Sequence, residues 1–132
     1  MAFPVDEKFI LKAEEELAVR FPDAYRSSMM SINGGFVEVD ADVFSIYPFF
    51  DTSEKKRLRR TTNSNVRETL TARKHYGLPE DLVAIADNGG GDLLVYRVRP
   101  DRTIDPTVFF LDHENGDLLP VAVHFGELTH EH

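Results

Sequence analysis

The spacing of apolar residues changes period along this chain, and the changes divide it into elements. Phe9, Ile10, Ala13 and Leu17 recur at helical spacing behind Asp6, a good N-cap, while Glu14, Glu15 and Glu16 fall largely on the outer side. A helix from about Asp6 to Arg20 is predicted. Pro22 cannot continue that helix but is well placed to open a second, with Tyr25, Met29 and Ile32 on one face. Asn33-Gly34-Gly35 ends it, because Asn and Gly accept the left-handed cap conformation. From Phe36 to Tyr47 the pattern loosens toward alternation around Asp40-Ala41-Asp42, which predicts two short strands or a hairpin. Pro48-Phe49-Phe50 closes the second strand and is expected to bury aromatics against a helix.

Residues 51–65 are the least structured by pattern. Ser64 or Asn65 caps a helix through Leu70 to Tyr76, with Val66, Leu70 and the Lys74 stem inward, and Gly77 ends it. The most strongly patterned stretch follows, Leu78 to Val98. Leu82, Val83 and Ile85 make one strand, and Leu93, Leu94, Val95, Tyr96 and Val98 the next. Asn88-Gly89-Gly90-Gly91-Asp92 reverses the chain between them, so a β-hairpin at the centre of a sheet is expected. Val108 to Leu111 is another apolar strand, ended by Asp112-His113-Glu114-Asn115-Gly116. Residues 118–122 lead to a last short helix near Phe125 and Leu128. Helices come first and strands cluster later. That order predicts an α+β fold, a single domain over residues 1–132 with a mostly antiparallel sheet packed by the N-terminal helices.

Length and composition agree with one soluble globular domain of 132 residues, 42% apolar and 29% charged. There is no cysteine, which excludes disulfides, thiolate zinc sites and cysteine nucleophiles, and fits a reducing cytoplasm. The first seven residues lack the basic and apolar regions of a signal peptide, and no segment has the length of a membrane span. The net charge of -8 argues against direct nucleic-acid binding and is compatible with an acidic face that meets a basic partner.

Candidate chemistry is sparse. The glycine run lacks G-x-G-x-x-G spacing, no Gly-Lys-Ser/Thr follows, and a strand rather than a helix continues from it, so a tight turn is the better reading than a phosphate loop. Asp112-His113-Glu114, with Asp87 and Asp92 near, could bind a divalent ion or move protons. These positions sit at a strand end, where alternation puts Asp112 and Glu114 on one side without His113. A structural or partner-contact role outweighs a metal or catalytic one there. The basic run Lys55 to Arg60 has no interleaved aromatic and reads as a solvated face. No G-x-S-x-G elbow exists, and Phe36, Phe44, Phe109 and Phe110 read as core.

Three ordered stretches carry a resemblance. Phe21-Pro22-Asp23-Ala24-Tyr25 with Met29-Met30 and Asn33-Gly34-Gly35 is the first, and Ile85 to Asp92 the second. The third is Val108 to Glu114 with Val121-Ala122, Phe125, Glu127 and Leu128. Together they resemble the SUKH superfamily, which includes the Smi/Knr-like cell-wall regulator and bacterial toxin-immunity proteins. Phe21 stands where Leu is usual, Ser28 where a large apolar residue is common, and His124 where a capping Ser precedes the last helix. The resemblance implies a SUKH-like fold and a non-catalytic, cofactor-free, cytoplasmic protein. Its expected partner is a protein, a secreted toxin domain, neutralised by stoichiometric binding. The alternatives are a cytosolic regulatory adaptor or, third, a small metal- or nucleotide-dependent enzyme. Asp87, Asp92, Asp112 and Glu114 are the expected contact residues.

Overall fold

A computed structural model describes residues 2–131. The chain runs α1 (Glu7–Leu17), α2 (Asp23–Ser31), β1 (Phe36–Val39), β2 (Asp42–Ile46), α3 (Lys55–Arg60), α4 (Asn65–His75), β3 (Leu82–Asp87), β4 (Leu93–Arg97), β5 (Val108–Leu111) and β6 (Leu118–Ala122). A 3₁₀ turn, Phe125–Glu127, and β7 (Thr129–Glu131) complete it. The strands form one sheet in the order β6-β5-β4-β3-β2-β1-β7, every neighbouring pair antiparallel. The fold is α+β, and the β3–β4 hairpin lies at the middle of the sheet, as its apolar density predicts. Among the described residues no helix is long and apolar enough to cross a membrane.

The main core lies between the sheet and the first two helices. Tyr25 is its hub: the rings of Phe21, Phe49, Tyr96 and Phe125 all lie within 5.5 Å of it, mostly tilted or edge-on, the geometry favoured by ring quadrupoles. Its hydroxyl accepts a hydrogen bond from Asn65 Nδ2 at 2.8 Å. Burial pushes the Tyr25 phenol well above the ordinary tyrosine range.

Helix α1 begins where Asp6 accepts from Lys8 N, but it ends three residues earlier than its pattern suggests. Ala18 turns left-handed (φ 54°) and aims Val19 and Phe21 into the core. Glu14 is not on the outer side. It is 7% exposed, accepts from Phe21 N at 2.7 Å and pairs with Arg26 at 3.3 Å. A helix N-terminus that must start at Pro22, with no side-chain cap, is thereby tied to the end of α1. Ile32 leaves the helix and is partly exposed, while Tyr25 and Met29 are buried. Phe36 is also not core: Val37 takes the buried face of β1, and period-two alternation sends Phe36 outward, 51% exposed.

Residues 51–64 hold more order than their pattern suggests. Buried Asp51 accepts from Ser53 N and Oγ at 2.9 and 2.6 Å, and the short helix α3 follows. Phe3 lies under Lys56, Arg57 and Arg60, so the aromatic missing from the basic run comes from the N-terminus.

Two further differences concern strands. Residues 118–122 form β6 rather than a lead into a helix, and the C-terminal helix is a single 3₁₀ turn followed by β7, which returns to pair with β1. His124 does cap that turn, since its Nδ1 accepts from Gly126 N at 3.0 Å. An imidazole nitrogen thus does the work of a serine oxygen.

Helix α4 positions the candidate site. Ser64 is its N-cap. Strand β2 ends at Ile46, so it covers only the last residues of β3. The uncovered edge of β3 meets α4 instead. Thr69 Oγ1 accepts from Ala84 N at 2.9 Å and donates to Ala84 O at 3.3 Å, and Arg73 Nη2 donates to Glu80 O and Leu82 O. A buried strand edge must satisfy its backbone groups, and side chains of a helix do so here. That demand faces Thr69 inward and leaves Leu70 48% exposed, the reverse of the apolar expectation.

Candidate functional site

Three turns gather at one end of the sheet: Asp40-Ala41 between β1 and β2, residues 88–92 between β3 and β4, and residues 112–117 between β5 and β6. Antiparallel succession of neighbouring hairpins puts alternate turns at the same end. Asp40, Asp42, Asp87, Asp92, Asp112, Glu114 and Asp117 lie in or beside these turns, and the same segments contain no Lys or Arg. The basic helix α3 lies in the connection that leaves the opposite end of β2.

Side-chain bonds lock the turns together. Asn88 Nδ2 donates to Asp42 Oδ2 at 2.8 Å and to Asp92 Oδ2 at 3.1 Å. Asp92 Oδ1 accepts from His113 N at 3.1 Å and lies 2.6 Å from His113 Nδ1. The hydrogen bond from His113 holds the Asp92 carboxyl below the usual carboxylate range. The same bond, with the nearby charges of Asp92, Glu114 and Asp112, raises the His113 imidazole above its ordinary value. Gly91 sits under this contact with φ +105°, and a Cβ there would come within 2.9 Å of the His113 ring. The glycine run is therefore a turn shaped by the imidazole. No helix begins after it; β4 does, which leaves no amide-lined phosphate cradle.

The four expected contact residues share this end of the sheet but differ in what they do. Asp87 accepts from the Tyr47 hydroxyl at 2.6 Å and from Gly89 N at 3.1 Å. Asp92 ties two turns, and Asp112 Oδ1 accepts from Glu114 N at 2.8 Å. Glu114 is exposed and acts on His113 through charge alone. Strand alternation does not govern 112–114, because β5 ends at Leu111 and the chain curls so that Asp112 and His113 both approach Asp92. Asp92, Asp112 and His113 can each present one ligand atom, all within 4.8 Å of one another, so a divalent cation would find three protein ligands there. Three fall short of the six to eight oxygens of a calcium site.

Beside the turns, the sheet face away from α1 and α2 forms two adjoining hollows of about 540 and 460 Å³. Ala72, Tyr76, Gly91, Leu93 and His113 line both. Tyr47, Glu68, Ala84 and Asp87 belong to the first, and Leu82, Arg97, Leu111 and Leu118 to the second. The floor is the smaller core cluster around Leu82, Ala84, Val95 and Phe109. Nothing in the sequence pattern singles out Tyr47, Glu68 or Leu93. Tyr47 reads as a strand aromatic, and only the placement of α4 along β3 brings Glu68 and Tyr76 opposite it. An aromatic after Arg73-Lys74-His75 at a helix end was the single available signal for Tyr76.

The family model described as the SMI1 / KNR4 family (SUKH-1) matches residues 4–130, nearly the whole chain. None of the curated proteins compared with the chain matches it.

Proposed function

Because the chain belongs to the SMI1 / KNR4 family (SUKH-1), we propose that it is a non-catalytic cytoplasmic binding protein that neutralises a secreted bacterial toxin domain by occluding it. The observation that supports this reading is the acidic end of the sheet. Three turns carry carboxylates there without a compensating Lys or Arg, and hydrogen bonds hold them in one arrangement. A rigid, predominantly acidic surface steers a basic partner and penalises an acidic one. Asp87, Asp92, Asp112 and Glu114 form the proposed contact surface. Glu114 faces solvent most freely, and the other three also hold the turns in place.

The test is co-expression with candidate toxin domains, scored by growth, followed by measurement of the complex in vitro. Rescue with a one-to-one complex whose affinity falls as salt rises from about 0.05 to 0.5 M is expected. Glu114→Lys should weaken that complex and leave Tm unchanged. An affinity indifferent to salt would remove the acidic face from the mechanism. Failure to rescue, with binding to envelope or signalling proteins instead, would replace immunity by a regulatory-adaptor role.

A further inference from the structure

We propose that the hollow between α4 and the β3–β4 turn is a receptor for a single arginine side chain presented by a loop of the protein partner. The inference rests on the protein-binding reading above and gives that surface an anchor point. Five observations carry it. The hollow, about 540 Å³, has the volume of a small-ligand site. Two carboxylates, Glu68 and Asp87, line it without Lys or Arg, and the His113 imidazole that also lines it is taken up by Asp92 at 2.6 Å. Neither carboxylate has an ion-pair partner among the described residues. Tyr76, 82% exposed, gives an aromatic wall. Leu93, Ala72 and Ala84 give an apolar floor.

The chemistry of arginine matches each wall. Its methylene stem covers apolar surface while the head stays polar. Its planar guanidinium stacks on an aromatic ring and forms paired hydrogen bonds to a carboxylate. The Asp87 carboxylate is already oriented for this. Tyr47 Oη donates to Oδ2 and Gly89 N to Oδ1, which leaves acceptor capacity on both oxygens. Burial and the hydrogen bond to Asp87 raise the Tyr47 phenol, with the charges of Asp87 and Glu68 adding to the shift, so it keeps its proton and remains a donor. A lysine would meet the charge but would neither stack as a plane nor bond through a fork.

The experiment is a titration of the ¹⁵N-labelled full chain with N-acetyl-arginine amide, N-acetyl-lysine amide and neutral N-acetyl-citrulline amide. The expected result is saturable shifts confined to Glu68, Tyr76, Asp87, Leu93 and their neighbours, with arginine at least tenfold tighter than citrulline and tighter than lysine. Glu68→Gln and Tyr76→Ala, both at positions outside the main core, should each weaken arginine binding at least threefold with unchanged spectra elsewhere. Equal binding of citrulline, equal binding of lysine, or shifts spread over all the acidic turns would overturn the assignment. Toxin rescue without arginine binding refutes the anchor alone. Arginine binding without rescue, with envelope or signalling proteins bound instead, refutes the immunity reading and leaves the anchor standing.

Discussion

Thr69 offers the sharpest test of how α4 is held in place as the wall of the hollow. Replacing Thr69 by Val keeps shape and β-branching but removes the hydroxyl that serves both Ala84 N and Ala84 O. Thr69 and Ala84 are at most 1% exposed, so water cannot take the hydroxyl's place. An orphaned buried donor costs about 1–3 kcal/mol. For a chain of this length the unfolding entropy sets about 3–4 °C of Tm per kcal/mol, so Thr69→Val should lower Tm by about 4–11 °C. Thr69→Ser keeps the hydroxyl and loses one methyl, about 1 kcal/mol of burial. The assays are thermal and urea unfolding, with amide exchange at Ala84 read separately. Exchange at Ala84 should speed up in the Val variant and stay slow in the Ser variant. If Thr69→Val is as stable as the parent, or if exchange at Ala84 speeds up as much in the Ser variant as in the Val variant, the hydroxyl does not hold the strand edge. The account of α4 as a substitute strand then fails.

Other outcomes follow from separate contacts. Glu14→Ala strands the buried Arg26 guanidinium and the Phe21 amide, and should cost about 3 kcal/mol in urea unfolding, with Glu7 at 3.2 Å limiting the loss. Ala41, at φ 66° in the β1–β2 turn, strains a side chain, so Ala41→Gly should stabilise the protein by about 0.5–1 kcal/mol; a loss of stability would refute that. The His113–Asp92 contact is complete only while both groups are ionised. His113, raised when folded, contributes fully below its unfolded value of about 6.5, and the contribution is lost as pH climbs through the folded value. Asp92, lowered when folded, contributes above its unfolded value, and the contribution is lost as pH falls through the folded one. A histidine NMR titration should therefore show His113 titrating high, and Asp92→Asn should bring it down toward the ordinary value. An unchanged midpoint in that variant would dissociate the two groups.

Local patterns determined most of the elements and their order. Asp6 and Ser64 cap the helices they were expected to start, and the glycine run turns β3 into β4. Period-two and period-3.6 patterns are properties of neighbours in sequence, and they survive in any fold that uses them. The family resemblance was legible for the same reason, since its motifs are turns, caps and short strands in a fixed order. The tertiary structure decided which residues break those patterns. Glu14 is buried because the end of α1 must receive both Phe21 N and Arg26. Thr69 faces inward and Leu70 outward because β2 stops short and leaves a strand edge to be satisfied. The C-terminal strand β7 exists because β1 had a free edge to pair with, a fact that lies about ninety residues away in the chain. The acidic turns could be named from sequence, but their meeting could not. Asp42, Asn88, Asp92 and His113 come from three hairpins, and only the register of the sheet brings them to one place.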